Sequence, residues 1–339
     1  MIENDQNFVS LGQEEQEVLQ QYPYEIGRTE RRGRGWRLET DRGSKGLYRY
    51  KSLDRDRIFA VHHALEQLAA RGFRHTSRHI RTRQGEPFVR KGSSYYILVD
   101  WYSYPSVDFC QDRDLQVATR NLALLHRLGH VKERQEEVDR VMNRQALEDR
   151  NRELQEYRQR VEKRGRYNAF DEIFLENARK MEQKSTEAIE RLIASDIDKL
   201  YTESSEKGSI CHRHWTEKNL RLSKDNNLAI IGWDNCGTDL PVAELTRFIR
   251  HVMDRRESWD IDTGKEMLAI YEEIRPLDKR ETDVLASLLS FPHKFWKVVA
   301  SYYRDGHRSE ELLSSFRQAI EEEVERDSFL EKLRQQQRA

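Results

Sequence analysis

The side chains that could do chemistry crowd into one stretch of the chain. Cys211-His212-Arg213-His214-Trp215-Thr216-Glu217-Lys218-Asn219-Leu220 is followed by Ile230-Ile231-Gly232-Trp233-Asp234, and then by Asp239-Leu240-Pro241-Val242-Ala243-Glu244-Leu245. The first chemistry to weigh is metal binding. Cys211, His212, His214 and Cys236 are soft ligands that invite zinc. The C-H-x-H spacing is not a closed zinc pattern, however, and on a strand His212 and His214 face one way and Cys211 the other. Elsewhere, Arg31-Arg32-Gly33-Arg34-Gly35 resembles a phosphate loop or an RNA patch. A lone GxG with arginines is a weak motif, and a solvated turn between strands is the simpler reading.

These residues need elements to hold them. Trp36 to Thr40 alternates apolar and polar, Asp41 to Ser44 is a turn, and Gly46 to Lys51 returns as a second strand. Ile58, Val61, Leu65, Leu68 and Ala69 then fall on one helical face, with Gly72 as the stop. A second hairpin pairs Pro87–Arg90 with Tyr95–Val99. After a connector from Tyr102 to Cys110, Leu115, Ala118, Leu122 and Leu125 mark a helix ending near Gly129. Residues 131–165 are so rich in Arg, Glu and Gln that a long solvated helix held by charge pairs is expected; Val138, Val141 and Leu147 sustain no strict coiled-coil seam. Leu220–Leu222 and Leu228–Ile231 read as two short strands about a turn, and the chain from Val242 onward reads as helical. Phe295, Trp296, Tyr302 and Tyr303 sit at helical spacing as core. The plan is α+β, with a small β-rich lobe over 1–101 and a large helical lobe over 102–339.

The loop and its following strand resemble the catalytic and metal loops of aminoglycoside phosphotransferases and choline kinases. In that pattern a His-Gly-Asp loop is followed five residues later by Asn, and a strand ends in Ile-Asp-Phe/Trp. Ala64–Phe73, Gly85–Val89, Leu122–His126, Phe170–Leu175, Arg275-Pro276-Leu277 and Phe291–Tyr303 further resemble the CotS spore-coat branch of these proteins in spore-forming Firmicutes. The resemblance runs from about Tyr24 to about Leu333. It implies a two-lobed, protein-kinase-like fold of the aminoglycoside-phosphotransferase type. It also assigns roles to positions. The acceptor-side Asp falls on His214 and the Gly before it on Arg213. The metal Asp falls on Gly232. The metal Asn is kept as Asn219. The phosphate Lys falls on Tyr48, and its helix Glu on Glu66.

Three of these positions cannot do the family's chemistry. Phosphoryl transfer depends on placement and charge neutralisation. Loss of the general base alone removes roughly 10²–10⁴ of rate. Glycine at 232 has no ligand for Mg²⁺, and neutral His214 prefers softer metals. The resemblance therefore implies a pseudokinase of the spore coat type, with no catalytic residue and no cofactor, working in coat assembly or protein binding. Glu66, Asn219 and Asp234 remain as residual nucleotide-side groups. The alternative is an atypical ATP- and Mg²⁺-dependent phosphotransferase, with His214 as base and Asp234 on the metal. His212, Asp239 and Glu244 read as structural braces.

Composition sets the outer bounds. Charged residues reach 35% of the 339, against 37% hydrophobic, so some helices must be very polar. Lys plus Arg number 59 and Asp plus Glu 60, so no overall field favours nucleic acid or anionic membrane. Three cysteines without CxxC spacing point to a reducing compartment. Absence of a signal-like start or long apolar run argues for synthesis inside a cell, with no membrane insertion. By resemblance that cell is the mother cell, the destination the spore coat, and the partners other coat proteins.

Overall fold

The computed structural model describes residues 11–51, 54–131 and 142–336. The chain divides into two compact units. One comprises the chain up to Asp108 with Leu128–Val131 and His212–Gly237; the other holds Phe109–Arg127, Lys132–Cys211 and Thr238–Ala339. The α+β class expected from the sequence holds.

The first unit is built on an antiparallel sheet of β1 (Ile26–Arg32), β2 (Gly35–Thr40), β3 (Gly43–Tyr50), β4 (Val89–Lys91) and β5 (Ser94–Asp100), in the order β1-β2-β3-β5-β4. The arginine–glycine run is the turn between β1 and β2, and Gly33 takes the left-handed conformation there, at φ 53°. Strand alternation gives the sheet two apolar faces. Leu47, Trp36, Leu38, Tyr96 and Leu98 pack against Val18, Leu19 and Tyr22, in and just after α1 (Gln13–Leu19). Ile97 and Val99, with Tyr48 and Tyr50, pack with Ile58 of α2 (Arg55–Ala70). Tyr48 lies opposite Ile97 in the β3–β5 register. Asp54 caps α2 by accepting from the Arg57 N–H at 2.6 Å. The predicted face of Ile58, Val61, Leu65, Leu68 and Ala69 is buried, and His62 is buried with it.

The segment His212–Gly237 belongs to this unit. Leu220–Leu222 pairs antiparallel with Leu228–Ile230. Backbone bonds tie the pair down: Ser77 N–H to Ile230 O at 3.0 Å, Ile230 N–H to His75 O at 2.9 Å, and Leu222 N–H to Pro105 O at 3.0 Å.

The second unit contains α3 (Asp112–Leu128), α4 (Arg144–Arg164), α5 (Ala169–Ala194), α6 (Ile197–Lys207), α7 (Pro241–Arg256), α8 (Ile261–Glu272), α9 (Lys279–Ser290), α10 (His293–Tyr303) and α11 (Glu310–Gln336). Phe170, Phe174, Phe295, Tyr302 and Phe316 form an aromatic core, with Trp296 and Tyr303 packed on it. The expected solvated helix over 131–165 needs correction. Residues 132–141 lie outside the described residues. α4, however, buries Leu147, Leu154, Tyr157 and Val161 on one face. A sparse stripe suffices because its few apolar positions all fall on the same side of the helix. Asn168 then opens α5 with a capping box to Asp171.

Candidate functional site

A cavity of about 630 Å³ opens within the first unit, lined in part by Tyr48, Asn219, Gly232 and Asp234. The structure thus brings together four of the positions singled out from the sequence. Glu66 is not among the lining residues; it pairs with Arg78 at 3.4 Å on a partly exposed face of α2. His214 is exposed beside the cavity rather than in its wall.

His212 anchors the loop. It is fully buried. Its Nδ1 accepts the His214 N–H at 3.2 Å, and its Nε2 lies 2.9 Å from the Ile231 carbonyl. A carbonyl only accepts, so Nε2 carries the proton and the imidazole is neutral. Trp215 and Trp233 pack edge-on against the ring. The strand alternation expected for Cys211–His214 does not extend through the loop. The strand ends at Cys211, and Arg213 turns left-handed at φ 69°. This is where the resembled pattern has glycine. An L-side chain there costs roughly 1–2 kcal/mol, so the loop keeps a glycine's backbone under an arginine.

Gly232 also lies in the left-handed region, at φ 75°, followed by a short 3₁₀ turn over Trp233–Asn235. The in–out alternation of a strand is therefore absent here, although Gly232 and Asp234 both line the cavity. A Cβ on Gly232 would stand 2.5 Å from Oδ1 of Asn219. The Asn219 side chain fills the space that a metal-binding carboxylate at 232 would need. Its Nδ2 donates to the His214 carbonyl at 2.9 Å, bracing the loop.

Asp234 is held by its neighbours. Tyr50 Oη donates to Oδ1 at 2.8 Å. Arg57 donates to the Asp234 carbonyl through Nη2 at 2.9 Å and to the Cys236 carbonyl at 2.5 Å. Burial pushes the Asp234 carboxyl above its ordinary range, against the pull of the Tyr50 hydrogen bond and the Arg57, Arg34 and His214 charges. Burial, and then the Asp234 charge, raise the Tyr48 phenol. A neutral phenol thus stands in the cavity wall where the resembled pattern has an ammonium group. The His214 Nδ1 meets the Asn235 amide at 3.1 Å.

Sequence reasoning missed Tyr50, Arg57, His62, His79 and Arg221. Tyr50 shares a face with Tyr48 two residues earlier, which was a usable signal. His62 and His79 stack with ring centres 5.9 Å apart, and burial pushes His79 down to about 3, so it stays neutral in the cavity wall. Arg221, a charge between two strand leucines, was an overlooked anomaly.

In the second unit Glu244 meets His126 Nε2 at 2.9 Å, and Tyr271 Oη meets Nδ1 at 2.8 Å. Ligand atoms of His126, Cys211 and Glu244 lie within 4.8 Å of one another. Both ring nitrogens of His126 are already engaged by protein groups. Asp239 accepts the Leu240 N–H at 2.8 Å and faces Arg247 at 3.6 Å. These acids brace α7.

Comparison with known proteins agrees with this geometry. Residues 15–333 match the family described as "Spore coat putative kinase YutH". Spore coat protein S of Bacillus subtilis (strain 168) is 24% identical over 331 residues, covering 94% of this chain and 93% of the relative. Among solved structures, an aminoglycoside phosphotransferase from Alicyclobacillus acidocaldarius subsp. acidocaldarius DSM 446 superposes with a TM-score of 0.86 at 18% identity, over 98% of each chain. The spectinomycin phosphotransferase APH(9)-Ia, solved with ADP and spectinomycin, gives a TM-score of 0.54 at 16% identity, over 91% of this chain and 93% of that one. The fold is that of the kinase-like phosphotransferases, and the chain belongs to the YutH family of kinase-like spore coat proteins.

Proposed function

We propose that this chain is a catalytically inactive kinase-like protein that serves spore coat assembly by binding other coat proteins. One observation carries the loss of catalysis. The metal-carboxylate position is Gly232, and the space a side chain would need there is filled by Asn219. Two further features support it. Tyr48 is a neutral phenol in place of a phosphate-binding ammonium group, and Asp234 already accepts from Tyr50. Without a carboxylate pair to hold Mg²⁺, the negative charge of a triphosphate is not neutralised. The coat setting is supported by the family match and by the relative named a spore coat protein. On this reading the chain is made in the mother cell cytoplasm and ends in the coat. Among the described residues no helix is long and apolar enough to cross a membrane.

The test is a phosphotransfer assay with ATP, Mg²⁺ or Mn²⁺, and a panel of hydroxylated acceptors. The expected result is no product above a protein-free blank. Turnover that His214→Ala abolishes would establish the second reading, an atypical phosphotransferase. That reading draws on one observation, the Asp234 carboxylate at the cavity wall.

A further inference from the structure

Arg221 lies in the cavity wall between Leu220 and Leu222, both buried. Among the described residues all of its side-chain hydrogen bonds come from Nη1: to Ser106 Oγ at 2.8 Å, Leu220 O at 3.1 Å and Glu217 O at 3.2 Å. All three acceptors are neutral. Nε and Nη2 have no protein acceptor among the described residues, and the guanidinium has no carboxylate partner there. A half-buried charge left without a counter-ion is unfavourable, and an apolar residue would suit this strand better on stability alone. The rest of the cavity does not supply the counter-charge. Arg31, Arg34, Arg49 and Lys51 line it too, against Asp100 and Asp234. Asp100 is already paired with Lys45 at 2.6 Å, and Asp234 with Tyr50. Beside the polar Ser77, His79 and Asn219, the wall carries the aromatic and apolar side chains of Tyr48, Trp101, Tyr102, Ile97 and Val99. The volume suits a small molecule.

We propose that this cavity holds a small planar anion, an aromatic ring bearing a carboxylate or phosphate group, without a divalent metal. The Nε and Nη2 groups form one edge of the guanidinium, and that edge grips two oxygens of a carboxylate or phosphate side by side. The ring lies among the aromatic side chains. This deepens the non-catalytic reading: the site changes its ligand chemistry from metal-neutralised to arginine-neutralised, and occupancy is read by binding rather than turnover.

The experiment is isothermal titration of the full-length protein in EDTA at constant ionic strength. The probes are 2-naphthyl phosphate against 2-naphthol, and 2-naphthoate against 2-naphthylmethanol, with inorganic phosphate alone as control. At least one aromatic anion is expected to bind, at least tenfold tighter than its neutral counterpart and than phosphate alone. Mg²⁺ in place of EDTA should not tighten it. Preference for 2-naphthyl phosphate identifies a phosphate ligand, and preference for 2-naphthoate a carboxylate. Arg221→Gln should weaken the bound anion at least tenfold. Because Nη1 also braces Ser106, Arg221→Lys is measured beside it; it keeps the charge, loses the two-pronged grip, and should bind at least threefold more weakly than the native protein. Absence of anion binding in EDTA, binding that requires Mg²⁺, or native affinity in both variants would overturn the proposal. ATP turnover would instead overturn the non-catalytic reading, leaving the anion site to be judged on these titrations.

Discussion

Oδ1 of Asn219 lies 2.5 Å from the point where a Cβ on Gly232 would stand. A side chain at 232 would therefore have to push aside the Asn219 amide, the group that shares a metal with this position in the resembled enzymes. The asparagine is kept, but its amide has become a loop brace on His214 and has taken the room that a second ligand would require.

Restoring the acid should therefore not restore the site. Gly232→Asp places a side chain at φ 75° and against Asn219. It should lower stability by about 1–3 kcal/mol, the usual range for a non-glycine residue forced into an unfavourable backbone region. No phosphotransfer is expected from it. Urea denaturation read beside the turnover assay checks both halves.

Asp234 should make stability depend on pH in an unusual direction. Its folded carboxyl is raised above the ordinary range by burial. A raised acid binds its proton more readily folded than unfolded, so it favours folding below the unfolded value of about 3.9. That contribution is lost as pH rises through the folded value. Asp234→Asn keeps an oxygen for Tyr50 and has no such titration. The variant's stability relative to the native protein should thus improve from pH 3 to pH 7. A constant difference across that range would show that Asp234 is not titrating as a buried acid.

The helical unit has its own sensitive point. Glu244 is buried and meets His126, itself buried, at 2.9 Å. Glu244→Ala strands the Nε2 of that ring. A loss of about 3 kcal/mol is expected, as when one partner of a buried polar pair is removed. Glu244→Gln keeps a polar partner in place and should lose less than half as much. Equal losses in the denaturation midpoints would mean that packing, rather than the hydrogen bond, matters there.

Much of this was legible from the sequence, and the rest was not for identifiable reasons. Local periodicity exposes a face, so the apolar stripe of α2 from Ile58 to Ala69 could be read directly. His214 and Gly232 were matched to the resembled loops by the spacing around them, and Tyr48 by its place in the strand Gly43–Tyr50. Periodicity says nothing about a partner far along the chain. Tyr50 and Asp234 are 184 residues apart, and only the folded sheet unit brings them together. The same holds for Arg57, whose place in the first turn of α2 gives no hint that it reaches the carbonyls of residues 234 and 236. His212 and His214 were placed by strand alternation, which a left-handed Arg213 cancels. In α4 the density of charge hid a seam of four apolar residues.

A site without a metal carboxylate at 232 should not hold a divalent metal on a nucleotide, and electron paramagnetic resonance of Mn²⁺·ATP reads that directly. With saturating protein the spectrum should remain that of Mn²⁺·ATP free in solution. A protein-bound Mn²⁺ signal that disappears in Asp234→Ala would show the metal gripped by that carboxylate, and would contradict the account.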